Sequence, residues 1–194
     1  MVLRKKTGWE GLAETPELFF KNILGIDLPR DKRMILSDVV NRREMRVGLV
    51  WDPKDQDAMD DASFAVGLCL WRAATQHRPT VIWCGRRSVA SAWIDHCIYV
   101  LSKASAEFRN DYKLIRETAK ESGPWGIIMP NGAWALRYDG AFAEDGVRAA
   151  ESFGNRVDIL IGDFYWVDTV DLDAALDLAE ENDAVTTLLI QRGT

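Results

Sequence analysis

Between Val47 and Ser63 the chain passes from an apolar run, Val47-Gly48-Leu49-Val50-Trp51, through a short polar loop into an amphipathic segment. A strand that feeds a loop and then a helix is the corner at which open α/β sheets seat phosphates, on the backbone N–H groups and the positive end of the helix. The frame is that of a phosphate-binding corner, but its chemistry is missing. Asp52, Asp55, Asp57, Asp60 and Asp61 occupy the stretch where a phosphate cradle carries glycines, a lysine and a hydroxyl residue. A carboxylate ~6 Å from a phosphate charge costs roughly 2–3 kcal/mol at an effective dielectric of ~20. Micromolar nucleotide binding supplies only about 8 kcal/mol. Two or three uncompensated aspartates therefore remove most of the affinity, and Lys54 alone does not offset five. Two other readings of the segment stand beside this one. It is a solvated acidic loop whose last members, Asp60 and Asp61, cap the following helix, or it is a divalent-cation site, although its spacing is not that of an EF-hand.

The chain has 194 residues, 47% of them hydrophobic and 28% charged, which is enough for one domain with a sizeable core. A net charge of −6 argues against a generally basic nucleic-acid surface and leaves only local runs, Arg4-Lys5-Lys6, Arg30-Asp31-Lys32-Arg33 and Arg42-Arg43. Cys69, Cys84 and Cys97 lie inside apolar segments and read as small buried hydrophobes of a reducing compartment. His96-Cys97 has no second ligand pair near it in sequence, so it is not a metal motif. There is no uninterrupted apolar run of membrane-spanning length and no secretory leader, so the expectation is a soluble cytoplasmic protein, in the host cytoplasm if viral, with no membrane partner. The eight tryptophans are expected to serve as core and rim packing.

Periodicity and turn signals divide the chain into a mobile lead-in, residues 1–15, and one domain, residues 16–194. Pro16 opens a short helix that ends near Leu24-Gly25, and a second helix follows over about 31–43, with Met34, Ile35 and Val39 or Val40 on one face. The strand 46–51, a helix over about 60–75 with Phe64, Leu68 and Trp71 as its stripe, and the β-branched strand 80–84 make one strand–helix–strand unit. A helix over about 88–103, N-capped by Ser88, comes next. Two apolar runs around Asn131-Gly132 predict an antiparallel hairpin, 125–130 with 133–138. A loop through Gly146 and Arg148, a strand 157–161, a helix 171–180 and a last strand 184–191 complete the chain. Strands alternating with helices predict a three-layer α/β fold with a mostly parallel sheet and one antiparallel hairpin. Ligands bind such sheets beyond the carboxyl ends of the strands. Asp52 and Asp163 both follow strands directly, so together they form a candidate Mg²⁺ site.

In segment order the chain resembles the ATPase domain of the large terminase subunit of tailed bacteriophages, the motor that packages DNA. Phe19-Phe20 through Leu28-Pro29 to Ile35-Leu36 is similar to that family's lead-in with its adenine motif, and Pro130-Asn131-Gly132-Ala133-Trp134 to its hairpin. Gly146-Val147-Arg148 leading to Asp158-Ile159-Leu160-Ile161-Gly162-Asp163 resembles its arginine loop and acidic strand, and Leu188 to Thr194 its coupling motif. The resemblance implies a P-loop NTPase-like fold over residues 16–194, with Asp52, Lys54 and Asp163 as a degenerate nucleotide site and Arg148 as a DNA or partner contact. The departures decide the activity it implies. The adenine-contacting glutamine is absent, the phosphate loop is acidic, and Phe164 stands where the catalytic carboxylate would follow Asp163. Loss of a positioned base costs 10²- to 10⁴-fold, and loss of the cradle removes the electrostatic part of phosphoryl transfer. The expectation is a non-hydrolysing scaffold with no catalytic residues and no cofactor other than a candidate Mg²⁺. It would bind packaging or virion proteins, with DNA and a homo-oligomer as further partners. Two enzyme alternatives remain. One is a divergent active motor using Lys54 as the phosphate lysine. The other is a Mg²⁺-dependent phosphatase resembling the haloacid dehalogenase superfamily, with Asp52 as nucleophile and Gly162-Asp163 plus Asp168 as the late acidic motif, but with Lys54 in place of its second acid.

Overall fold

The computed structural model describes residues 9–41, 46–51, 56–84, 87–110, 112–115, 124–140, 152, 158–162 and 187–192. Within them the chain forms helices α1 (Pro16–Leu18), α2 (Arg30–Val40), α3 (Gln56–Gln76), α4 (Arg87–Lys103) and α5 (Ala106–Arg109), and strands β1 (Arg46–Trp51), β2 (Thr80–Trp83), β3 (Lys113–Ile115), β4 (Trp125–Ile128), β5 (Trp134–Tyr138), β6 (Asp158–Gly162) and β7 (Thr187–Arg192). The strands make one mixed sheet in the order β1-β7-β6-β2-β5-β4-β3. From β1 to β5 every pairing is parallel, and β5-β4 and β4-β3 are antiparallel. The fold is therefore α/β with a mixed sheet, as expected. The antiparallel part is larger than the single hairpin predicted, because β3, too short to show a period in sequence, pairs Leu114 with Ile127 on the far side of β4.

α3 is the centre of the molecule. Its residues Phe64 to Trp71 are all buried, and only a helix covered on all sides can be apolar all round. The sequence reading gave it a single stripe and a start near residue 60. It starts at Gln56, and it is buried all round because the lead-in covers its outer face while the sheet and α4 cover the rest. Asp60 and Asp61 consequently sit one turn inside the helix and do not cap it. The close fit to the lead-in depends on Gly67. A Cβ there would lie 2.3 Å from Cε1 of the buried Phe20, whose ring stacks on Phe64 at 5.8 Å. Phe20 itself belongs to a π-helical turn, Phe19–Leu24, that continues α1 and stops at Gly25, left-handed at φ 70°.

The packed chain begins earlier than residue 16. Trp9 is buried edge-on against Phe108 at 5.3 Å, and the Trp71 indole N–H donates to the Leu12 carbonyl at 3.2 Å. Trp9 and, in part, Leu12 thus pack on the core ahead of the domain start expected at residue 16. α2 ends at Val40, short of residue 43, and buries Leu36 and Val39, whereas Met34 is 58% exposed. α4 begins at Arg87, so Ser88 lies in its first turn and is not the N-cap. The helix expected at 171–180 and the loop through Arg148 lie outside the described residues. Cys69, Cys84 and Cys97 are buried and unpaired with one another, as the apolar context predicted.

The Asn131-Gly132 turn forms as predicted and does more than reverse the chain. Gly132 takes φ 88°, and the Asn131 carboxamide oxygen accepts from the Ala133 N–H at 2.9 Å. Its amide nitrogen donates 2.7 Å to the Ala73 carbonyl near the end of α3, where helix carbonyls lack intrahelical donors. The hairpin is thereby fixed to the helix. Inside it, Gly126 has φ 152° and its missing Cβ would lie 1.9 Å from the Leu136 carbonyl oxygen, so no side chain fits without displacing the partner strand.

Urea unfolding should place Gly126→Ala about 3 kcal/mol or more below the parent protein, because the clash is with backbone. Gly67→Ala should lose about 1–2 kcal/mol, since ring overpacking is partly offset by better helix propensity. Equal losses at the two positions would contradict the different contacts each glycine makes.

Candidate functional site

β1, β7 and β6 end together. Trp51 pairs with Arg192, and Gly162 with Ile190, so three parallel strands bring their carboxyl ends to one edge with β7 in the middle. Adjacent strands lie about 4.8 Å apart, which puts the ends of β1 and β6 about 10 Å apart. Asp52 and Asp163 are the next residues in sequence after those ends. Asp52, Lys54 and Asp163 themselves lie outside the described residues, as does Arg148. The structure thus gives the frame of the expected site and not its side-chain geometry. Arg137, near the end of β5, is level through Val81 and Ile159 with Thr187 and Arg46 at the starts of β7 and β1; its Nε and Nη2 donate to the two carboxylate oxygens of Asp139 at 2.7 Å each. Its guanidinium also lies 5.5 Å from the Trp134 ring centroid.

Beside the first turns of α3 lies a cavity of about 280 Å³, enclosed by the loop Gly25–Pro29, α3 and α4. Asp27, Asp60, Ser63, Tyr99 and Lys103 bring polar groups to it, and Leu24 and Val100 an apolar floor. Behind it Ser63 Oγ and His96 Nε2 share a 3.1 Å hydrogen bond between α3 and α4. Burial, and then the nearby Lys103 ammonium, lower the His96 pKa, so the imidazole is neutral at pH 7. Lys103 in turn donates to the Tyr99 hydroxyl one helical turn away. The sequence draws attention to Asp60 as part of the acidic segment and to His96 beside Cys97, but not to Asp27, Ser63, Tyr99 or Lys103. Ser63 and His96 come from different helices, and no spacing rule joins them, whereas the i, i+4 spacing of Tyr99 and Lys103 was the one visible signal.

The basic run at the start of α2 is engaged within the fold. Lys32 bridges to Asp61 of α3 and lies 3.1 Å from Asp31. Burial opposes its charge, but hydrogen bonds to Asp61 and Asp31 outweigh that cost and leave its pKa raised. Arg33 Nε donates 2.9 Å to the Leu28 carbonyl and holds the loop that walls the cavity.

The strongest buried charges are at the opposite edge. Asp158, the first residue of β6, accepts from Arg78 Nε at 2.8 Å and lies 3.9 Å from Arg72 Nε, with all three side chains nearly buried. Arg72 also donates to Gln76 at 2.8 Å. This cluster joins the end of α3 to the start of β6 and sits away from the ligand edge, which marks it as a structural clamp. The neighbouring Cys69 thiol is pushed up to about 12 by burial and is therefore unreactive at neutral pH.

Among the described residues no group of three His, Cys, Asp or Glu side chains is placed to hold a metal ion, and no helix is long and apolar enough to cross a membrane. No family model matches the chain, and no curated protein or solved structure is significantly similar to it.

Removing one partner of the clamp leaves buried charge uncompensated, so Asp158→Ala should cost about 3–5 kcal/mol in urea unfolding. The His96 effect has the opposite origin. The unfolded imidazole takes up a proton as pH falls through about 6.5, while the folded one, with its lowered pKa, resists protonation. Stability attributable to His96 is full above that pH and declines as pH drops toward the folded pKa. Urea midpoints measured at pH 7.5 and 5.5 should show a smaller acid loss in His96→Asn than in the parent protein.

Proposed function

We propose that this chain is a terminase-like protein of P-loop NTPase fold that does not hydrolyse nucleotide and serves as a binding or assembly component in phage DNA packaging. The observation that carries the reading is the parallel order β1-β7-β6. It aligns the strand preceding Asp52, the strand preceding Asp163 and the strand resembling a coupling motif at a single edge, which is where a packaging motor would need them. The acidic segment explains the loss of turnover. Lys32, the described lysine nearest to it through Asp61, is held in ion pairs and is not available to a triphosphate. The three-layer form of the proposal further requires the connection between β6 and β7 to cross the face opposite α3. The direction from β6 back toward β1 is the reverse of that from β1 to β2, which suits a right-handed crossover there.

With its motor chemistry gone, the scaffold binds packaging or virion proteins, and Arg148 contacts DNA or a protein partner. A Mg²⁺ ion between Asp52 and Asp163 is compatible with this role as a structural ion.

Calorimetric titration with ATP and Mg²⁺ at millimolar concentration should give no saturable heat and no rise in melting temperature, although a ligand at 100 times its dissociation constant would add about 2.7 kcal/mol. Saturable ATP binding lost in Lys54→Ala would replace the scaffold reading with a divergent motor. Magnesium-dependent turnover of p-nitrophenyl phosphate lost in Asp52→Asn would replace it with the phosphatase reading. If DNA is a partner, salt-dependent binding of a duplex should weaken in Arg148→Ala.

A further inference from the structure

Among the described residues the exposed large hydrophobic side chains are Leu18, Met34, Val40 and Tyr99, and three of the four belong to α1 and α2. Leu18 and Val40 flank a groove of about 340 Å³ between the start of α1 and the last turns of α2, with the buried Leu36 as its floor. A monomer gains nothing from leaving apolar side chains together at the mouth of a groove, and such patches mark docking surfaces. Two of the groove's polar side chains, Ser37 and Asn41, are bonded to each other. Asn41 closes the end of α2 by donating to the Ser37 carbonyl at 2.8 Å and to its hydroxyl at 3.3 Å. The remaining recognition groups are apolar carbons and two exposed carboxylates on the rim, Glu14 and Glu17, neither of which makes an ion pair among the described residues. Among the described residues no cation lines the groove.

An apolar trough with an acidic rim is complementary to one kind of segment, an amphipathic helix that presents leucine-like anchors on one stripe and lysine or arginine beside it. We propose that the α1–α2 groove is the docking site for a basic amphipathic helix of a partner protein. The groove shares no lining residue with the cavity beside Ser63 and Lys103, and does not depend on the nucleotide reading. Burial of Leu18 and Val40 supplies the affinity, and Glu14 and Glu17 supply selectivity and a dependence on salt.

Two fluorescein-labelled helical peptides test this, alike in their leucine stripe and bearing lysine on the flanks in one and glutamate in the other. The lysine peptide should bind the full chain at least about tenfold more tightly than the glutamate peptide. Its affinity should fall about tenfold in Leu18→Ser/Val40→Ser and by a similar factor in Glu14→Lys/Glu17→Lys, and should weaken as salt rises. All four positions are solvent-facing, so both variants should keep the parent melting temperature, and the charge-reversal pair carries the test if the apolar pair does not fold. Affinity unchanged in both variants would overturn the proposal, because a chain of net charge −6 attracts cationic peptides without a groove. A concentration-dependent dimer, seen by sedimentation and dissolved by Leu18→Ser, would overturn it in favour of a second copy. Removal of the first eight residues that tightens peptide binding tenfold would overturn it in favour of the chain's own Val2-Leu3-Arg4-Lys5-Lys6.

Discussion

The close approach of Phe20 to the backbone of α3 at Gly67 is the constraint on which the rest of the structure depends. Without a Cβ on one side, an aromatic ring reaches the helix backbone and covers its outer surface, and α3 can then be apolar on every face. Its inner face is thereby free to pack on β1 and β5, its flank takes α4, and its far end accepts the hairpin through Asn131. Each of these contacts needs α3 at a fixed height above the sheet. Interiors at crystal-like density transmit such a displacement and do not absorb it.

Electrostatics divides the sheet into two unlike edges. At the amino end of β6, Asp158 is enclosed by two arginines and is committed to holding the fold. At the carboxyl ends of β1 and β6 the next residues in sequence are Asp52 and Asp163, and Lys32 is bound to Asp61 in the early turns of α3.

Much of the architecture was legible from residue order. The run Val47 to Trp51, the β-branched run Thr80 to Cys84 and the Asn131-Gly132 turn announced their elements because their periods and turn chemistry are local. β3 and α5 were not visible, because three or four residues are too few to show a period. The start of α3 was misplaced because the aspartates before residue 60 read as loop, whereas a helix tolerates acidic residues well in its first turns. Burial on all faces of α3 was hidden for another reason. It depends on Phe20, far away in sequence, and no local pattern records which face a distant ring will cover. The candidate site divides along the same line. Asp52 and Asp163 were found as residues next to strands, while the Ser63–His96 bond and the cavity beside it arise only when two helices pack.

The order of the sheet also carries a consequence for biosynthesis. β1 lies at one border of the described sheet, and its neighbour there is β7, so Arg46 waits for Thr187 before its ladder can close. A ribosome delivers the hydrophobic run Val47 to Trp51 long before its companion emerges, and an unpaired apolar strand in a nascent polypeptide is a target for aggregation or for a chaperone. β7, which follows β1 and β6 in the chain, has to enter between them before β1 can join the sheet.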